Sequence, residues 1–197
     1  MYHFFALINR MKNINRWGLM RNTSTENIQE HSQQTAVLAH ALAVIAQNRL
    51  GNTEVNPEKA ALIALYHDAT EIITGDMPTP IKYHNDEIKK CYNIIEKQTS
   101  ESLLNKLPED LKHIYKKIFN AEDTEEWIYV KAADTLSAYI KCIEEIKVGN
   151  NEFRSAMNTI KIKLENIKIS VPALTIFMDE FLESYFLTLD EQSIYDE

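Results

Sequence analysis

Glycine and proline are scarce in this 197-residue chain, which holds 4 of the first and 5 of the second. Sandwiches and barrels call for such turn-formers roughly every ten residues, so the scarcity argues against an all-β architecture and favours helices. Cysteine is nearly absent too: Cys91 and Cys142 stand apart in helix-like stretches, without the CxxC spacing of a thiolate metal site. Two isolated thiols make no disulfide framework either, and a reducing cytoplasm is the expected location. No stretch is long and apolar enough to span a bilayer, so no membrane partner is expected. A positive surplus is also lacking: 21 Lys and Arg against 29 Asp and Glu leave a net charge of -8. That balance argues against a nucleic-acid polymer held through its phosphates.

What is present is the composition of an ordinary soluble domain, 45% apolar and 25% charged. The length suffices for one sizeable core and is short for two, so residues 1–197 are expected to form a single domain. The opening segment MYHFFALINRMKNINRW has apolar residues in helical register and reads as a first core helix. The first 25 residues carry Arg10, Lys12, Arg16 and Arg21 and no acidic residue. A cationic stretch in an otherwise acidic chain suits a small anionic ligand.

Helix signals follow in order. Asn27 with Glu30 forms a capping-box pattern ahead of a helical run that Gly51 ends. Asn56-Pro57 is a second start signal, and EKAALIALYHDATEIITG is expected to run as one helix to Gly75. The next stretch, DMPTPIKYHN, holds two prolines and is not expected to contain regular helix. Further helices are expected at 86 to 107, 109 to 119, 123 to 148 with Gly149 as the stop, 151 to about 167, and 172 to 187. With no repeat or linker between them, the expected fold is an all-α bundle in one piece.

The chemistry begins at His67 and Asp68, which follow the apolar run AALIALY. An imidazole and a carboxylate entering an apolar bundle are costly to desolvate unless they are paired or bind a metal. A lone His-Asp pair reads most simply as a hydrogen-bonded core pair. His31 and Asp134, on two other expected helices, complete a set of two imidazoles and two carboxylates. Such a set suits Mn, Fe, Co, Ni or Zn better than Ca or Mg alone. Glu71 lies one helical turn past His67 and Asp68 and would share their face, or else be a solvated residue at a helix end. Arg16 beside Trp17 reads either as a surface cation over an aromatic ring or as a ligand for an anion. His40 is rotated by about 180° from His31 at roughly 100° per residue and should point away. His3, His84 and His113 have no partner at ligand spacing and read as structural or surface residues.

The order His31, His67-Asp68, Asp134 resembles the HD-domain superfamily of metal-dependent phosphohydrolases. The words NRWGLMRN, TENIQEHS, LYHDATEIITGDMPTP, KAADTLSAYIKCIEE and GNNEF look like the bacterial 5'-deoxynucleotidases within it, and they are spread from residue 15 to residue 153. The resemblance implies an HD-type bundle that hydrolyses 2'-deoxyribonucleoside 5'-monophosphates to deoxynucleosides and phosphate. It implies one divalent transition-metal ion per chain, such as cobalt or manganese, on His31, His67, Asp68 and Asp134. It implies catalytic roles for Glu71, Asp68 and Arg16, the last orienting the phosphate. Substrate contacts are implied for Arg16, Trp17, His31, Asp68, Asp76, Met77, Pro78 and Thr79, with Asp76 reaching the sugar edge, and a homodimer is implied as well. One departure is Gly18, where proline is expected after the tryptophan; glycine there would loosen the loop. The rival readings are another HD-type nucleotide phosphohydrolase and a non-catalytic nucleotide-sensing HD domain. A di-iron oxygenase on related helices would need ligands for a second iron.

Overall fold

A computed structural model of the chain describes residues 1–82 and 84–192. A short helix α1 (Phe4–Ile8) tightens into a 3-10 segment (Asn9–Asn13) and buries Phe4 and Met11, as the opening core helix should. The capping box at Asn27 forms: its side chain accepts from the Glu30 amide at 3.0 Å, and Glu30 accepts from the Asn27 amide at 3.0 Å. Such a cap is worth about 1 kcal/mol. It opens α2 (Ile28–Leu50), which Gly51 closes in the left-handed region at φ 71. Asn56 caps the Lys59 amide at 2.8 Å and Pro57 opens α3 (Pro57–Tyr66).

The helix expected to continue to Gly75 does not. Past Tyr66 the chain makes a tight turn through residues 67–70 and resumes as a single turn, α4 (Glu71–Thr74). The cause is His67, whose ring Nδ1 lies 2.7 Å from the Ala64 carbonyl while its own amide reaches the same oxygen at 3.5 Å. The following amides bond three residues back, Ala69 to Tyr66 and Glu71 to Asp68, each at 3.0 Å. The proline-containing stretch also differs from expectation, since α5 (Thr79–Lys82) forms one helical turn. Pro80 is its second residue, where a missing amide interrupts no intrahelical bond.

The remaining elements are α6 (Asp86–Leu104), α7 (Glu109–Phe119), α8 (Glu125–Lys147), α9 (Arg154–Ser170) and α10 (Pro172–Phe181). The expected ends at 107, 123, 151 and 187 shift because terminal turns tighten or fray; 3-10 turns at Asn151–Phe153 and Leu182–Phe186 flank α9 and α10. Among the described residues there is one isolated bridge, Asn15 with Asn27, and no strand, so the fold is all-α. No described helix is long and apolar enough to cross a membrane.

The main core joins α2, α3, α8, α9 and α10 around Leu42, Ile63, Leu136, Ile140 and Leu174, all at 2% exposure or less. Full burial of each such side chain is worth about 1.5–3 kcal/mol. Where α2, α3 and α8 meet, Ala39, Ala43, Ala60, Ala64, Ala132 and Ala133 are completely buried. Small side chains let the backbones approach closely, and that brings the start of α2, the end of α3 and the middle of α8 to one place.

Candidate active site

His31 comes from the first turn of α2, His67 and Asp68 from the turn after α3, and Asp134 from α8. Ligating atoms of His31, His67 and Asp134 all lie within 4.8 Å of one another. Asp68 Oδ2 joins them at 3.2 Å from His67 Nε2 and 3.5 Å from His31 Nε2. Asp134 Oδ1 is 3.2 Å from His31 Nε2, and Lys131 Nζ donates to its other oxygen at 2.8 Å. Both imidazoles are closed to solvent, while the two carboxylates keep about a fifth of their surface, at 22% and 21%.

The tautomers follow from the partners. Ser137 Oγ donates to Gln34 at 2.6 Å and so accepts from His31 Nδ1 at 3.1 Å. The Ala64 carbonyl can only accept, so His67 Nδ1 carries the proton. In the neutral rings each Nε2 is left with a lone pair directed at carboxylate oxygens, and His67 Nε2 is buried without a hydrogen bond. Nitrogen and oxygen lone pairs face to face repel unless a proton or a cation lies between them. Two imidazole nitrogens with the far ring nitrogen tied back, plus ionised carboxylates, fit a divalent metal ion. Burial would raise the carboxyl pKa values, yet the imidazoles hold Asp68 below the usual range, and Lys131 with the imidazoles does the same for Asp134. Burial and the Arg16 charge push His31 down, whereas at His67 the neighbouring Asp68 and Asp134 outweigh burial and push it up.

Glu71 sits beside this cluster, buried at 8% exposure, with Oε2 unpartnered among the described residues. In the metal-free chain, burial and then the charges of Asp68 and Asp76 push its carboxyl up to about 10. Burial also raises Asp76, against the Arg16 charge and the Trp17 amide, which donates to Asp76 Oδ2 at 3.1 Å.

Arg16 is not a surface cation: its side chain is 12% exposed and its Nη1 donates to Glu26 Oε2 at 2.8 Å. The same carboxylate oxygen accepts from Trp17 Nε1 at 2.9 Å, so Glu26 aligns both side chains. Trp17 has φ 61, a left-handed conformation uncommon outside glycine, and the bond to Asp76 helps to hold it there. Gly18 is exposed, with open space around the position of a Cβ, and the left-handed residue is its neighbour Trp17.

A cavity of about 400 Å³ lies alongside, lined by residues 16–20, residues 76–80 and, from α9, Ser155, Ala156, Thr159 and Ile160. Met77, Pro78 and Thr79 are therefore on its wall together with Arg16, Trp17 and Asp76. The sequence gives no signal for the α9 residues or for Glu26. The first are uncharged and remote in the chain, and Glu26 stands next to a capping residue that accounts for its neighbourhood. His3, His40, His84 and His113 are all exposed.

The chain is similar to known proteins in sequence and in fold. The family model described as 5'-deoxynucleotidase YfbR-like matches residues 3–185. The 5'-deoxynucleotidase of Yersinia pseudotuberculosis serotype I is 50% identical over 199 residues, covering 98% of each chain. That of Yersinia pestis strain Pestoides F is 49% identical over 196 residues, again 98% of each. Among solved structures, an HD-domain phosphohydrolase from Listeria innocua superposes with a TM-score of 0.81 at 21% identity, over 96% of this chain and 91% of its own. A cyanophage S-2L HD phosphohydrolase, bound to dA and one catalytic Zn2+ ion, superposes with a TM-score of 0.64 at 22% identity, over 91% and 95%. The chain belongs to the YfbR-like 5'-deoxynucleotidase family.

Proposed function

We infer that this chain is a metal-dependent 5'-deoxynucleotidase, a single domain that hydrolyses 2'-deoxyribonucleoside 5'-monophosphates to deoxynucleosides and phosphate. The observation that carries the reading is the convergence of the Nε2 atoms of His31 and His67 with Asp68 and Asp134, next to a half-buried arginine and the buried carboxyl of Glu71. The names of the relatives supply the substrate class. A cytoplasmic homodimer belongs to the same reading, on the cysteine-poor composition and the family resemblance.

His31, His67, Asp68 and Asp134 would hold one divalent transition ion, with cobalt, manganese and zinc all suited to this donor set. Such an ion supplies Lewis-acid chemistry, acidifying water and drawing charge from the phosphoryl group. The residues of the chain do the rest. Arg16, already aligned by Glu26, offers its remaining donors to the phosphate. Glu71 holds a proton on a buried carboxyl, where it positions water or passes the proton on as the ester bond breaks. Trp17 packs on the nucleoside, His31 and Asp68 border the phosphate, and Met77, Pro78 and Thr79 form the cavity wall. Asp76 accepts from the sugar 3'-hydroxyl, and its tie to the Trp17 amide leaves no slack for a 2'-hydroxyl.

Two measurements test this. Arg16→Ala is expected to lower kcat/KM by roughly 10²- to 10³-fold with the melting temperature little changed; a kinetically silent substitution would reduce Arg16 to a structural partner of Glu26. The deoxy-to-ribo ratio of kcat/KM for dAMP and AMP should favour dAMP in the parent and shrink in Asp76→Ala. No preference in the parent would widen the substrate class to nucleotides in general, and an unchanged ratio would remove Asp76 as the discriminating group.

A further inference from the structure

Glu145 is almost fully buried, at 1% exposure, near the end of α8. It stands about three helical turns past Asp134, at 3.6 residues per turn, and so lies on the same face of the same helix. Its carboxylate does not join two helices of the core. It accepts from the Thr23 amide at 3.0 Å, the Thr23 hydroxyl at 2.7 Å and the Ser24 amide at 3.2 Å, all on an exposed loop tip. Asn150 Nδ2 adds a bond at 2.7 Å and Lys141 Nζ another at 2.5 Å. These two donors also reach the loop themselves, Lys141 to the Ser24 carbonyl at 2.6 Å and Asn150 to the Arg21 carbonyl at 2.7 Å.

The loop so fastened is the one that carries Arg16 and Trp17. Its neck is closed by the Arg16 amide to the Glu26 carbonyl and the Ile28 amide to the Ile14 carbonyl, both at 2.9 Å. The Trp17 ring packs on the fully buried Phe153 at 5.3 Å between centroids, and Lys141 Nζ lies 5.8 Å from the Phe153 centroid. Neck and tip are thus anchored separately. The tip anchor sits on the helix that also supplies Asp134, so one rigid element sets the height of the loop and the place of a metal-ligating carboxylate.

We propose that Glu145 is a positioning residue: by fastening residues 21–24 to α8 it holds Arg16 and Trp17 in register with the His31, His67, Asp68 and Asp134 cluster. This rests on the reading of Arg16 as a phosphate ligand. A buried carboxylate that served stability alone would lower the melting temperature when altered and leave turnover per folded molecule untouched. A positioning residue acts on the rate, and only through the residues it positions.

The test is a double-substitution cycle on full-length, metal-loaded protein, with dAMP as substrate. Glu145→Gln puts an amide group against donors it cannot satisfy and should lower kcat/KM about 10- to 100-fold, with metal content per chain unchanged. Placed on Arg16→Ala, the same change should cost several-fold less than in the parent, because of the two groups it positions only Trp17 remains. Thr23→Val, on the exposed tip, removes one donor without touching the core; it should lower kcat/KM by a few fold in the parent and by less on Arg16→Ala. It decides the matter should Glu145→Gln fail to fold. Equal losses with and without Arg16, or variants that melt earlier yet turn over normally, would overturn the proposal. If Arg16→Ala is itself silent, the phosphate reading falls and the proposal with it. A costly Arg16→Ala beside a silent Glu145→Gln and Thr23→Val overturns the proposal alone.

Discussion

Chelation is expected to abolish phosphate release from a deoxynucleoside 5'-monophosphate, and one divalent transition ion per chain to restore it. The expected loss is at least about 10³-fold, since without the ion no group in the site acidifies water or neutralises phosphoryl charge to a comparable degree. Asp68→Ala and Asp134→Ala should lose bound metal and activity together, because each carboxylate faces an Nε2 whose tautomer is already set by Ser137 or the Ala64 carbonyl. Binding should also stabilise the fold, by about 2.7 kcal/mol when free metal is a hundred times its dissociation constant. Metal analysis, phosphate release and melting temperature read the three effects on one preparation. Undiminished turnover in protein shown to be free of metal would rule the reading out, and two irons per chain with oxygen uptake would replace hydrolysis with an oxygenase.

Glu71→Ala is expected to part catalysis from metal binding: the ion stays and turnover falls by about 10²- to 10⁴-fold. Glu71 is close enough to Asp68 and Asp76 for their charges to raise its pKa, but among the described residues no ion pair joins it to either imidazole, as one does Asp68. Near-normal turnover in this variant would end its catalytic assignment. The same residue gives a pH signature in metal-free protein. The folded chain holds the Glu71 proton up to about pH 10, while an unperturbed carboxyl of this type releases it near 4.5. The unfolded state therefore binds fewer protons between those values, and stability falls as pH rises through them. Glu71→Gln keeps the neutral shape without the proton, so its gain in melting temperature over the parent should grow from pH 5 to pH 8. A gain independent of pH would mean that Glu71 is ionised in the folded protein.

Much of the fold was legible because helix ends are local. Asn27 with Glu30, Asn56 with Pro57, and Gly51 act within one turn of chain, and each starts or stops a helix where the residues say it should. The order His31, His67-Asp68, Asp134 was legible as well, since residues of those types in an apolar helical context need a shared partner. Periodicity predicts a continuous helix through the His-Asp pair, where the structure has a turn, because periodicity does not show which acceptor a side chain will take. The carbonyl taken by the His67 ring is what breaks the ladder and turns Asp68 and Glu71 into the site.

By itself, then, the sequence determined the all-helical class, the starts of α2 and α3, the presence of residues able to ligate a metal, and the family. Tertiary structure alone decided which nitrogen of His31 faces the carboxylates, through Ser137, 106 residues away. It decided that Glu26 aligns Arg16 with Trp17, that α9 forms one wall of the cavity, and that Glu145 reaches across 122 residues to Thr23. Caps and periodicity depend on neighbours along the chain, whereas these contacts depend on which surfaces the alanine-lined junction of α2, α3 and α8 allows to meet, and that is set only when the core packs.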